Sequence, residues 1–261
     1  YSIQTSLYLT LFIQKQLNMK KAIIILFMLF IASSVFAQTK LYDIVFVKAN
    51  DIAAYDQYLE EQFSKIHQKR IDEGMLLQWD VWKVVDNPQE DFTHMITYIF
   101  DIDKYGDSIN PQSYLGMTDR QWQIMQQDVS GIRTRVGQVK WNDLGSARKK
   151  GVDYLPEIMV LNFMMLKNDQ WGTYEQAEIN ATKSIANTSV RVGWNFHRRI
   201  DDDGTDNYFS HVTVDWFDQY KDYLKLGMGP LTDASKANQD WNELRELKKR
   251  VVMQKLISLG N

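Results

Sequence analysis

His94 and His211 are the residues of this 261-residue chain best suited by type and setting to do chemistry. They are two of only four histidines, and each follows a matching pair of residues, Phe92-Thr93 in one case and Phe209-Ser210 in the other. Each opens an apolar run that reads as a strand. A histidine buried on a central strand can act as a base, an iron ligand or a hydrogen-bond donor, because burial moves its titration across the neutral range. It can equally be a core residue satisfied by a neighbour. Other chemistries lack their signatures. The chain has no cysteine, no P-loop, no G-x-G-x-x-G, no H-E-x-x-H and no G-x-S-x-G. Four histidines leave little room for a multi-histidine metal centre, and His67 is expected at the surface of the first helix. The run Asp201 to Asp206 lacks calcium-loop spacing and reads as a hairpin turn.

The faces of the two hairpins decide what accompanies these histidines. A turn symmetric about Gly204 pairs Trp194 with Val214 and Phe196 with Val212 on an apolar face suited to helices. The opposite face then carries His197 with His211, Asn195 with Thr213, and Gly193 with Asp215. In the first hairpin, a turn centred on Pro88 puts Val81 and Met95 on the helix face. Trp82 with His94, Asp80 with Ile96, and Gln78 with Tyr98 fall on the other. A face mixing His, Asp, Asn, Trp and Tyr suits a cavity with a few polar groups in an apolar wall. The candidate catalytic residues are therefore His94 and His211. The candidate ligand-binding residues are Trp82, Asp80, Tyr98, Asn195, His197 and Asp215, with Arg135 and Arg250, at the start of the last strands, able to hold a carboxylate.

The elements that position these residues occur twice. Leu76 to Val85 lies over Arg191 to Ile200 with Trp79 on Trp194, and Phe92 to Asp101 lies over Phe209 to Asp218 with His94 on His211. Thr134 to Leu144 lies over Lys249 to Leu259 with Arg135 on Arg250. Such self-similarity marks a tandem duplication. Within copy 1, Asp51 is a suitable N-cap for a helix carrying Tyr55, Leu59, Phe63 and Ile66, and Thr118 for a second one. In copy 2 the helices are expected around Trp171 to Ile185 and Thr232 to Leu247. The order is βαββαβ twice, an α+β fold of two ferredoxin-like modules, each with strand order 4-1-3-2 and both helices on one face. The bare faces are expected to pack sheet to sheet.

In this topology, from Leu41 to Leu259, the chain resembles the dimeric α/β-barrel superfamily, though with no family-specific motif. Its members include chlorite-dismutase-like haem proteins and haem-degrading or cofactor-free monooxygenases. The resemblance implies a small apolar or aromatic ligand, haem among the candidates, between the two sheets, with monooxygenase-like activity. The alternative is a non-catalytic interaction protein of the cell envelope.

Bulk properties bound the setting. Met19-Lys20-Lys21, the apolar run Ala22 to Ala32 and the small residues up to Ala37 read as a cleavable signal peptide, residues 19–37, preceded by an untranslated extension, 1–18. The stretch from Ala22 to Ala37 is shorter than the ~20 residues that span a bilayer, so no stable membrane anchor is expected after cleavage. The expected domains are module 1 at 38–145, a linker at 146–154 and module 2 at 155–261, in a periplasmic or extracellular protein. Removing the extension and the leader takes away three lysines, Lys15, Lys20 and Lys21, and no acid, shifting the formal charge from −3 to −6, which disfavours nucleic acid as a partner. Without cysteine the fold must rest on its core, to which eight Trp contribute. Homo-oligomers are expected through outer strand edges.

Overall fold

The structure is a computed structural model that describes residues 40–85, 90–167, 169–183, 185–201, 208–226 and 241–260. The expected leader, its extension and most of both hairpin turns lie outside the described residues. Lys40–Asn261 forms one compact unit.

The first module runs β1 (Lys40–Ala49), α1 (Ile52–Tyr58), a π-helical turn (Leu59–Phe63), α2 (Ser64–Asp72), β2 (Gln78–Val84), β3 (His94–Asp101), α3 (Pro111–Tyr114), α4 (Asp119–Ile132) and β4 (Arg133–Arg148). The second runs β5 (Ile158–Leu166), α5 (Trp171–Ala181), β6 (Gly193–Arg199), β7 (His211–Phe217), α6 (Tyr220–Leu226) and β8 (Arg245–Leu259). Local chemistry sets the helix starts as expected. The Asp51 carboxylate accepts the Ala54 N–H, and Thr118 forms a capping box with Gln121. The helix expected over Thr232 to Leu247 lies largely outside the described residues, and its last three positions belong to β8 instead. Similarly, β4 continues to Arg148, into the expected linker.

Each module has the strand order 4-1-3-2, and the two sheets join edge to edge through β2–β8 and β4–β6 into a closed eight-stranded barrel. The long strands β4 and β8 make this possible, since each pairs with its own module at one end and with the other module at the opposite end. Closure satisfies both edges of every strand. Association of two copies through outer strand edges therefore has no edge to use among the described strands.

Register corrects the face assignment in both hairpins by one residue. Lys83, not Trp82, lies opposite His94, and Trp82 lies opposite Met95. Arg198, not His197, lies opposite His211, and Asn195 lies opposite Val214. Because side chains alternate with period two, a one-residue slip turns the whole third strand over. His94, Tyr98, His211 and Asp215 thereby face the helices, while Met95, Val212 and Val214 face the barrel interior. The last strands are also offset. Gln138 lies opposite Val45 and Arg250 opposite Asn162, so Arg250 corresponds to Gln138 and not to Arg135.

One end of the barrel interior is closed by Phe46, Phe92, Phe163 and Phe209, whose adjacent rings lie 4.8, 6.2 and 4.9 Å apart. Such aromatic packing is where much of a core's stabilisation resides.

Candidate functional site

The repeated Phe-Thr-His and Phe-Ser-His segments each do three jobs. The phenyl ring plugs the barrel. The hydroxyl oxygen of Thr93 accepts the Ala49 N–H at 2.8 Å, and that of Ser210 accepts the Leu166 N–H at 3.2 Å. The imidazole crosses to the first helix of its module, with His94 Nε2 at 2.7 Å from Asp56 and His211 Nε2 at 2.9 Å from Glu175. The same hydroxyls lie 2.9 and 3.0 Å from the Nδ1 atoms. Both rings are fully buried, and desolvation lowers their pKa despite the neighbouring carboxylates. A neutral ring that donates from Nε2 and accepts the hydroxyl proton at Nδ1 uses both nitrogens. Both histidines thus join strand to helix, outside the barrel, with no nitrogen free for a ligand.

A cavity of about 460 Å³ lies between the first sheet and its helices, within the range of small-molecule sites. Its floor is the outward face of the sheet: Asp43, Val45 and Val47 from β1, Trp79 from β2, Ile96, Tyr98 and Phe100 from β3. Tyr55, Leu59, Phe63 and His67 form its roof. They recur every four residues, and the π-helical turn Leu59–Phe63 keeps that stripe over the sheet. Arg70, Arg133, Arg135 and Gln138 add the polar groups. His67, expected at the surface, is buried 4.6 Å from the Trp79 ring and 5.1 Å from that of Tyr98. The stripe ending at His67 was the signal that could have placed it there.

Three guanidinium groups, Arg70, Arg133 and Arg135, outnumber two carboxylates, Asp43 and Asp107, in the lining of this pocket, which favours an anion. Asp43 already accepts from Tyr105 at 3.1 Å and from Gln138 at 2.6 Å. Arg70 and Arg133 lie over the rings of Phe100 and Tyr55, each with a buried Nε that has no partner. Neither they nor Arg135 form an ion pair among the described residues. Burial pushes His67 down to about 3, with Arg70 adding to the effect, and leaves its Nδ1 without a partner. The pocket therefore offers an aromatic slot, an uncharged imidazole and three cationic groups.

The sequence-derived residues divide among three places. Tyr98 and Arg135 line this pocket. Asp80, Trp82, Asn195 and His197 face the barrel interior as expected, around a second cavity at its open end. Asp215 and Arg250 lie on the helix side of module 2, where Arg191 pairs with Asp215 at 2.6 Å and Asn162 links Asp215 to Arg250. Sequence reasoning missed Asp43, His67, Arg70, Arg133 and Gln138.

No family model matches the chain, and no curated protein matches it either. Solved structures do match. A candidate monooxygenase from Lactobacillus acidophilus NCFM is 11% identical with a TM-score of 0.52, over 84% of this chain and 95% of that one. An anthrone oxidase-like protein is 7% identical with a TM-score of 0.55, over 86% and 94%. A dye-decolorizing peroxidase from Bacteroides thetaiotaomicron VPI-5482 is 6% identical with a TM-score of 0.51, over 84% and 94%. At these identities the likeness is one of fold.

Proposed function

For a chain with the dimeric α/β-barrel fold, we propose that the function is binding of a flat, largely apolar carboxylate in the pocket between the first sheet and its helices. The observation that carries this is the set of unpaired guanidinium groups, Arg70, Arg133 and Arg135, around an aromatic slot. A carboxylate is the group that a guanidinium fork binds best. The site differs from the inter-sheet cavity expected from the sequence, because His94 and His211 point away from that cavity.

Haem belongs to this ligand class, being a flat ring with two carboxylates. The donors in the pocket suit it: His67 is uncharged and unpartnered at Nδ1, and the arginines could hold the propionates. Bound there, haem would supply oxidative chemistry. The monooxygenase, anthrone oxidase-like and peroxidase descriptions of the fold neighbours support an oxidative role as part of the same proposal. Export through residues 19–37 to a periplasmic or extracellular site is also proposed, on the composition of that segment, and self-association through faces other than strand edges remains compatible with it.

The test is a titration of the full chain with 1-naphthoate, with neutral 1-naphthamide and with haem, read by tryptophan fluorescence and by the Soret band. Saturable binding of naphthoate, weakened at least about tenfold by Arg133→Ala with Arg135→Ala and stronger than that of the amide, supports the reading. A Soret shift lost in His67→Ala but kept in His94→Ala would make haem the ligand. No saturation with any of the three overturns it.

A further inference from the structure

The open end of the barrel is a separate cavity of about 290 Å³, whose apolar lining includes Ile44, Met95, Met159 and Val214 of the interior core. Its wall carries three indoles, Trp82, Trp141 and Trp216, the first and last with ring centroids 5.3 Å apart. Two buried nitrogens in this wall have no partner, His197 Nδ1 and Trp141 Nε1. Asp143 is the acid nearest His197, at 3.9 Å, beyond hydrogen-bonding distance. The His197 side chain is 5% exposed and stacked on Trp141 at 5.5 Å, so bulk water does not satisfy it. Buried polar groups left unpaired are rare and costly, and a ligand is one of the things that explains them.

The charges around the cavity balance. Asp80 and Asp143 face Lys40 and Arg148, and Asp80 already accepts from Ser258 at 2.6 Å and Gln78 at 2.8 Å. Arg148 donates to Asn195 at 2.9 Å while lying over the Trp216 ring, and Trp216 Nε1 donates to the same oxygen at 2.6 Å. With two acids against two cations, the wall has no call for a charged ligand. It offers indole faces together with neutral donors and acceptors, Tyr42, Thr97 and His197. A hydroxyl matches such a wall because it both donates and accepts, and the C–H face of a hydroxylated ring packs on an indole.

We propose that the open end of the barrel is a second ligand site, for a neutral polyhydroxylated ring of monosaccharide type. It is independent of the pocket under the helices, being on the opposite face of the same sheet.

The experiment is calorimetric and fluorescence titration of the full chain with D-glucose, D-galactose and myo-inositol, beside His197→Phe, Thr97→Val and Arg133→Ala. His197→Phe keeps the stacked ring and removes its nitrogens, and Thr97→Val keeps the shape of a second wall position should the first variant fold poorly. Saturable binding of at least one of the three, weakened tenfold or more in either wall variant and unchanged in Arg133→Ala, supports the site. No saturation with any of them, or saturation indifferent to both wall variants, overturns it. Either result leaves the carboxylate pocket untouched, since Arg133 reports on that pocket alone.

Discussion

His94 Nε2 on β3 lies 2.7 Å from Asp56 Oδ1 on α1, and this one contact ties the first helix of module 1 to the middle of its sheet. Its duplicate, His211 to Glu175, does the same in module 2 at 2.9 Å. Removing either imidazole leaves its carboxylate with one partner among the described residues, Lys83 for Asp56 and Arg198 for Glu175. His94→Ala and His211→Ala should each lower stability by about 2–3 kcal/mol, the cost of a lost hydrogen bond to a charged group plus its unpaired remainder. Urea denaturation with an unchanged m-value would show this as a fall in midpoint.

Lys83 also contacts Asp56, at 2.7 Å, but its side chain is 37% exposed. An exposed ion pair contributes under about 1 kcal/mol, so Lys83→Met should cost much less than His94→Ala in the same assay. Equal losses would mean that the charge pair, and not the imidazole, holds α1.

Burial lowers all four histidines below 6.5, His67 and His197 to about 3. Below pH 6.5 the unfolded chain binds protons that the folded chain refuses, so stability falls as the pH drops, by about 2 kcal/mol at pH 5 for each of His67 and His197. Asp80 acts in the opposite sense. Burial raises it to about 6 from 3.8, so between those values the folded state keeps a proton that the unfolded state has lost. Asp80→Asn should therefore steepen the loss of stability between pH 6 and 4, measured by urea denaturation at each pH.

Phe163 touches both Phe46 and Phe209 in the plug and is 3% exposed. Phe163→Ala should cost about 3–5 kcal/mol, seen as a lower thermal midpoint. A much smaller loss would mean that the closed end collapses to fill the space.

A Cβ at Gly193 would stand 2.9 Å from both Arg148 Cδ and Trp216 Cδ1. Gly193→Ala should therefore displace the Arg148 side chain from Trp216, shift the tryptophan emission and cost about 1–3 kcal/mol. Unaltered emission would show that Arg148 moves without disturbing the indole.

Much of this architecture was legible in the sequence because it rests on local chemistry. The N-caps at Asp51 and Thr118, the helical stripe from Tyr55 to Phe63 and the doubled strand–helix order all follow from neighbouring residues, and they imply the two 4-1-3-2 sheets found in the structure. Which way β3 and β7 face does not follow from them. These strands lie between a packed barrel and a layer of helices, so both of their faces are buried, and the polar parity of β7, His211, Thr213 and Asp215, does not by itself say whether it meets helices or the barrel interior. Only the ladders to β1, β2, β5 and β6 settle the register, and with it the placement of His94 and His211 against helices and of His197 against a cavity. The carboxylate pocket was hidden for a related reason. Its arginines and His67 come from one helix, α2, and the start of β4, distant in sequence, and what joins them is the space that the closed sheet leaves beneath the helices of module 1.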